Sequence, residues 1–209
     1  MKIEFVSDVA CPWCAVGLNA LERALERIGD AWAIDMRFEP FELNPTLGPE
    51  GADAKEYLVA KYGLSDEQLA SNRKAIRERG AAVGFAFGER VHVWNTFDAH
   101  RLLHWAGLEG RQRELKHALL RAYHGEGRAV GQRDVLVALA EEAGLDGARA
   151  RAILESGEYT AEVRARERHW QELGIHAVPS VIVDDRHLIQ GGQPPEAFEQ
   201  ALRKIAAEG

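Results

Sequence analysis

Ile3-Glu4-Phe5-Val6 is followed, four residues on, by Cys11-Pro12-Trp13-Cys14, and these are the only two cysteines in the chain. The first stretch reads as a buried strand over residues 2–7. Beyond Pro12, Val16, Leu18, Leu21, Leu25 and Ile28 recur at helical spacing, so an amphipathic helix follows. Proline suits its first turn, where an N–H would have no helical partner, and Gly29 suits its end. Trp32, Ile34, Met36 and Phe38 then alternate with polar or small residues until Pro40, the period of a strand. Strand, helix, strand in about forty residues is a βαβ unit with two parallel strands. The cysteine pair therefore falls at the start of a helix that follows a strand. There the free N–H groups and the helix dipole stabilise a thiolate, which points to thiol–disulfide chemistry.

Outward from this unit the pattern changes. From about Asp53 to Gly174 almost everything is helical in period. Ser65-Asp66-Glu67-Gln68 reads as a capping box. A run after Asn95-Thr96, and Leu115–Tyr123, Val135–Ala143 and Ala161–Leu173, are further helix candidates. Gly80 through Gly88 is the expected irregular connection, and Gly107, Gly125, Gly144 and Gly174 are expected helix stops. After Gly174, Ser180-Val181-Ile182-Val183 is a strand, Asp184-Asp185 a turn and His187-Leu188-Ile189 a second strand. Gly191-Gly192 breaks it, and Pro195–Ala207 is a last helix. Strands joined by so tight a turn are antiparallel. The expectation is an α/β fold with a mixed sheet, βαβ plus ββα, carrying a large all-helical insertion. The sheet domain is expected to be discontinuous, residues 1–45 and 174–209, with the insertion at 46–173.

Bulk properties narrow the function. The 209 residues are 46% hydrophobic and 28% charged, which fits neither a disordered nor a membrane protein. A formal net charge of −7 argues against sequence-independent nucleic-acid binding. No membrane partner is expected, because no apolar stretch approaches a bilayer span. Met1-Lys2 leads straight into a strand with no leader pattern, so a cytoplasmic address is the expectation. Two cysteines in a reducing compartment are read as catalytic or metal-binding rather than as a scaffold. A structural zinc site wants four ligands and there is no second pair, so no metal is assigned.

With this order of elements, and with Val178-Pro179 leading into the ββα unit, the chain resembles the thioredoxin superfamily. More narrowly it resembles the DsbA-like group with a helical insertion, and within it the FrnE-type dithiol–disulfide oxidoreductases. These are related to 2-hydroxychromene-2-carboxylate isomerase and kappa-class glutathione transferase. Phe41-Glu42-Leu43-Asn44-Pro45, Asn95-Thr96 with Ala99-His100-Arg101-Leu102, and Gly191-Gly192-Gln193 carry the likeness further along the chain. The resemblance implies a thioredoxin-like fold and a cis-proline at Pro179 opposite the active cysteine. That turn would offer the Val178 backbone to an extended peptide or to glutathione. The residues alone would favour a trans proline opening a strand.

Cys11 is the candidate nucleophile and Cys14, within the same first helical turn, the resolving thiol. Pro12, Trp13 and Val178 are expected beside the substrate. Asn95 and His100 are candidate pocket residues through the resemblance. The bland alternative is a helix-capping Asn95 and a buried, hydrogen-bonded His100. His104 shares the helix face of His100 but is read as structural. Lys55, Lys61, Arg73, Lys74, Arg77 and Arg79, and the run Glu162–Arg168, read as solvated helix faces. Trp94 and Trp105 read as core.

The leading expectation is a dithiol–disulfide oxidoreductase or isomerase acting on disulfide- or thiol-containing protein or small-molecule substrates. No cofactor is expected to bind tightly, and the resemblance admits glutathione as redox partner or cosubstrate. The alternative is a glutathione-dependent isomerase or transferase of small aromatic compounds. The relatives that do this typically carry serine at the Cys11 position, so the cysteines weigh against it. A metal-binding module would need Cys11, Cys14, His100 and His104 to converge.

Overall fold

The computed structural model describes residues 1–208. Strand β1 (Lys2–Ser7) leads into helix α1 (Pro12–Ile28), a 3-10 turn over Gly29–Ala31 and strand β2 (Asp35–Pro40). At the other end of the chain β5 (Ser180–Val183), β6 (His187–Gln190) and α9 (Pro195–Glu208) follow one another. The four strands form one sheet in the order β2-β1-β5-β6. β1 pairs in parallel with β2, from Lys2 opposite Asp35 to Ser7 opposite Pro40. It pairs antiparallel with β5, and β5 antiparallel with β6, so the sheet is mixed as expected.

Strand β2 starts at Asp35, three residues later than the alternation beginning at Trp32 suggests. The reason is its partner. β1 begins at Lys2, and the last rungs are Asp35 N–H to the Met1 carbonyl and the Met1 ammonium to the Ala33 carbonyl. No neighbouring backbone remains for Trp32, although Trp32 and Ile34 still pack against the sheet core. The outer edge of β2 is closed by a side chain. Gln112 accepts from Phe38 N–H and donates to Phe38 C=O, both at 3.0 Å, replacing one rung of a missing strand.

Between β2 and β5 lie a short β3 (Ala52–Asp53), α2 (Ala54–Tyr62), α3 (Asp66–Ala82) and β4 (His92–Val93). Then come α4 (Phe97–Leu108), α5 (Gln112–Leu120), a π turn over Arg121–Gly125, α6 (Arg133–Glu142), α7 (Gly147–Glu155) and α8 (Thr160–Glu172). The Ser65–Gln68 capping box is present. Gly80 does not break its helix. It is buried, and a Cβ there would come within 2.5 Å of the Phe87 ring, so glycine lets the Phe85–Phe87 segment pack onto α3. The irregular connection begins at Val83. The β3–β4 pairing and α7 have no counterpart among the expected elements.

Two large apolar clusters result. One joins Ile3, Phe5, Leu18, Leu21 and Phe198 of the sheet, α1 and α9. The other joins Leu102, Leu115, Leu119, Leu136 and Ile153 of the helical segment. Cys11 and Cys14 belong to the first cluster and Val9 and Ala10 to the second. The turn between β1 and α1 is thus anchored in both.

Helix α8 departs from the solvated reading of Glu162–Arg168. α8 packs against β2, and β1, β2 and the chain leaving β2 present Glu4, Glu39 and Glu42 to it. Arg164 pairs with Glu42 and Glu167, and Arg166 with Glu39 at 2.7 Å and Glu4 at 3.4 Å. Four carboxylates that burial would otherwise destabilise are held by two arginines.

Candidate active site

Cys11 is the N-cap of α1 and offers no side-chain cap, so its sulfur is free of helix duties. Its N–H donates to the Asp8 carbonyl at 3.2 Å, and Cys14 N–H donates to the Cys11 carbonyl at 3.1 Å. Both cysteines are free thiols, 3.4 Å apart. Cys11 Sγ also lies 3.6 Å from the Val178 carbonyl oxygen, to which it donates only while it is a thiol. The Val178–Pro179 peptide bond is cis. Pro179 lies against α1 at Gly17, where a Cβ would stand 3.0 Å from Pro179 Cγ. Glycine at 17 is what permits this approach.

The two thiols are electrostatically unequal. The Cys14 side chain, donating to Cys11, is the largest influence and holds the Cys11 thiol below its ordinary value. The backbone N–H groups of Cys14 and Trp13 add to this, against burial and the negative charge of Asp8. Burial pushes Cys14 well above the ordinary thiol range, and its interaction with Cys11 pushes it further the same way. Of the two thiols, Cys11 is therefore the one that loses its proton first.

Sequence reasoning missed Asp8, which holds this turn. It is fully buried. Its Oδ1 accepts from Ala10 N–H at 3.0 Å and Thr96 Oγ1 at 2.7 Å, and Oδ2 from Leu43 N–H at 2.6 Å. His100 Nε2 stands 3.4 Å from Oδ1. Burial alone would raise the Asp8 carboxyl, but His100 and the two N–H donors hold it below the ordinary carboxylate range. An acid directly after a strand and three residues before the cysteines was the available signal.

His124, in the π turn, is a second missed residue. Its Nε2 lies 2.8 Å from the Val9 carbonyl, which can only accept, so this nitrogen carries the proton. Burial, with the positive charge of Arg90, pushes His124 down to about 3. Arg90 in turn donates to the Ala10 carbonyl at 3.0 Å.

A cavity of about 660 Å³ opens at the cysteines. Cys11, Pro12, Trp13 and Val178 line it, with His124, Arg90 and an apolar wall of Tyr57, Tyr62, Leu69 and Ile76 from α2 and α3. Asn95 and His100 do not. The Asn95 amide is consumed by the Leu47 carbonyl and its oxygen by Phe97 N–H at the start of α4. His100 is buried against Asp8. His104 stacks on Tyr159. The cations of α2 and α3 are not all idle: Arg73 and Arg77 line the cavity, and Lys61 donates to Leu43 and Asn44. Arg79 donates to the Gly192 carbonyl, with its guanidinium 5.9 Å from the Trp13 ring centre.

The model of the DSBA-like thioredoxin domain matches residues 2–203. The chain belongs to that family. A probable DsbA oxidoreductase of Streptomyces coelicolor shares 37% of its residues with this DSBA-like chain and superposes with a TM-score of 0.95, covering 100% of this chain and 91% of the other. A Bacillus subtilis protein, YwbO, which carries no functional description, is 29% identical over 97% of this chain and 96% of its own. The cytosolic disulfide reductase DsbM of Pseudomonas aeruginosa, solved with GSH, is 20% identical with a TM-score of 0.68 over 99% of this chain and 100% of its own. The last likeness is one of fold. The thioredoxin-like DSBA fold, α/β with a mixed sheet, is as the sequence led one to expect. No helix among the described residues is long and apolar enough to cross a membrane.

Proposed function

We propose that this DSBA-like chain is a thiol–disulfide oxidoreductase of the cytoplasm in which Cys11 is the nucleophile and Cys14 the resolving thiol. The observation that carries it is the inequality of the two thiols within one helical turn: Cys11 lines the cavity and its thiol is held below the ordinary value, while Cys14 does not line it and is pushed well above that value. The Cys11 thiolate attacks a substrate disulfide, and one substrate sulfur departs with the electron pair of the broken bond. The Cys14 thiolate, formed by loss of its proton, then attacks Cys11 Sγ and expels the second substrate sulfur. The substrate gains two electrons and the chain holds a Cys11–Cys14 disulfide. Run backwards, the same steps oxidise a dithiol.

Disulfide- or thiol-bearing substrates, protein or small, are the class this chemistry serves. The cavity wall supplies apolar surface from Tyr57, Tyr62 and Trp13 and positive charge from Arg73, Arg77 and Arg90. Glutathione, an anionic thiol tripeptide, suits such a wall as redox partner or cosubstrate, and the presence of GSH in the DsbM structure supports that choice.

Equilibration in glutathione redox buffers, followed by thiol trapping and mass spectrometry, tests the reading. The expected result is one two-electron Cys11–Cys14 couple between roughly −270 and −120 mV, the span of redox-active relatives. Thiols that stay reduced throughout that window, with glutathione bound non-covalently, would overturn it in favour of glutathione-dependent isomerase or transferase chemistry.

A further inference from the structure

We propose that the mouth of the cavity at Cys11 is a docking surface for proteins whose disulfide lies in an acidic segment, and that Arg73 and Arg77 of α3 read the carboxylates. The inference rests on the exchange reading above and names the partner class of that site.

Leu69, Asn72, Arg73, Ile76 and Arg77 of α3 all line the cavity. Their steps of three and four place them on one helix face, so the two arginines stand beside the apolar wall. Both are exposed. Elsewhere on the chain arginines are held by carboxylates: Arg27 by Glu196, Arg128 by Glu142, Arg149 by Glu158 and Arg151 by Asp134. Arg73 and Arg77 have no ion-pair partner among the described residues. Arg90 adds a third cation to the lining, also without a carboxylate; it donates to the Ala10 carbonyl and lies 5.6 Å from the Tyr123 ring centre. Against these three, Glu89 is the one carboxylate on the lining among the described residues. The nearby charges of the same helices are engaged elsewhere, Lys55 with Asp66 and Lys74 with Glu78. A chain of net charge −7 thus turns unpaired positive charge toward its thiols. Local charge opposite in sign to the whole orients an acidic partner as it arrives.

The arginines alone would suit any carboxylate-bearing disulfide, and the rim argues for a protein. Val59 and Tyr62 of α2 and Val91 are 37%, 52% and 66% exposed, three of the six large exposed apolar side chains among the described residues. The Val91 carbonyl accepts from Ala54 N–H at the first residue of α2, so Val91 borders the same helix. Tyr62 lines the cavity, but Val59 and Val91 do not. A molecule contained in the cavity leaves those two valines in water. An extended protein segment leaving the cavity over α2 covers them. Tyrosine and arginine around apolar surface is also the composition of protein-binding hot spots.

The test uses blocked heptapeptides with a central cysteine between two leucines and the four outer positions all Glu, all Gln or all Lys. Each is presented to the reduced chain as its mixed disulfide with thiopyridine. Cys11 attacks the peptide sulfur, and thiopyridone leaves with the electron pair of the broken bond. Each rate constant is divided by that of the same peptide with dithiothreitol. In the wild type the Glu peptide should exceed the Lys peptide by about tenfold or more at about 20 mM salt, and the ratio should shrink severalfold at about 0.5 M. Arg73→Gln with Arg77→Gln should lower the ratio about tenfold, while Arg73→Lys with Arg77→Lys should hold it within about threefold. A merely structural role would alter all three peptides alike and leave the ratio unchanged. A wild-type ratio near one, or an unchanged ratio in the double Gln variant, would overturn the inference. A glutathione–thiopyridine disulfide that outpaces the Glu peptide would overturn the choice of a protein. Release of thiopyridone from none of the probes would instead bring down the exchange reading and this inference with it.

Discussion

Cys11→Ser is expected to reduce disulfide exchange to the uncatalysed background. A hydroxyl at this position is not ionised near neutral pH, and the hydrogen bonds that lower the Cys11 thiol cannot bring a serine into range. Cys14→Ser has a different expected result. Serine keeps a donor toward Cys11, so the first attack survives, but nothing expels the bound half of the substrate. The variant should accumulate a stable mixed disulfide on Cys11, visible in non-reducing mass spectrometry as one adduct per chain. Residual turnover in Cys11→Ser, or an adduct on Cys14 rather than Cys11, would reverse the assignment.

The second large effect is on stability in mild acid. His124 stays neutral in the folded chain down to about 3, whereas an unfolded histidine takes its proton near 6.5. Between these values the unfolded chain binds the extra proton. The His124 contribution is therefore complete above about 6.5 and is lost as pH falls towards 3, at up to about 1.4 kcal/mol per pH unit. Asp8 acts in a lower window: its folded carboxyl is held down, so its contribution is present above about 3.9 and is lost as pH falls through the folded value. Urea denaturation at pH 7.5, 6.5, 5.5 and 4.5 should show stability falling in the wild type. Comparison with His124→Gln isolates the histidine from the buried carboxylates that titrate nearby. The glutamine can still donate to the Val9 carbonyl and should show a flatter profile. Parallel profiles for the two proteins would remove His124 as the cause.

The βαβ and ββα units were legible because their strands and helices show their period directly, and because Pro12 and the cysteines mark one helix start. Strand limits were less legible. Trp32 and Ile34 alternate like strand residues, yet the start of β1 leaves them no partner. Gly80 reads as a breaker but serves close packing against Phe87. α7 has few apolar positions, Ala150, Ile153 and Leu154 being the ones it buries, so its period is faint. Charges buried or paired by tertiary packing were the hardest to read. Lys116 sits between Leu115 and His117 like any surface lysine, and Arg164 and Arg166 look solvated until Glu4, Glu39 and Glu42 are placed beneath them. Asn95 and His100 show the converse. Their motif was recognised, but their polar atoms are turned to the Leu47 carbonyl and to Asp8 rather than to the cavity.

The inequality of the two thiols is tested most directly by the rate of iodoacetamide labelling of each cysteine as a function of pH, read by peptide mass spectrometry. Cys11 should label with a midpoint below the ordinary thiol range, while Cys14 stays protected until well above it. Equal labelling of both cysteines with ordinary midpoints, or Cys14 labelling first, would contradict the order in which the two thiols lose their protons.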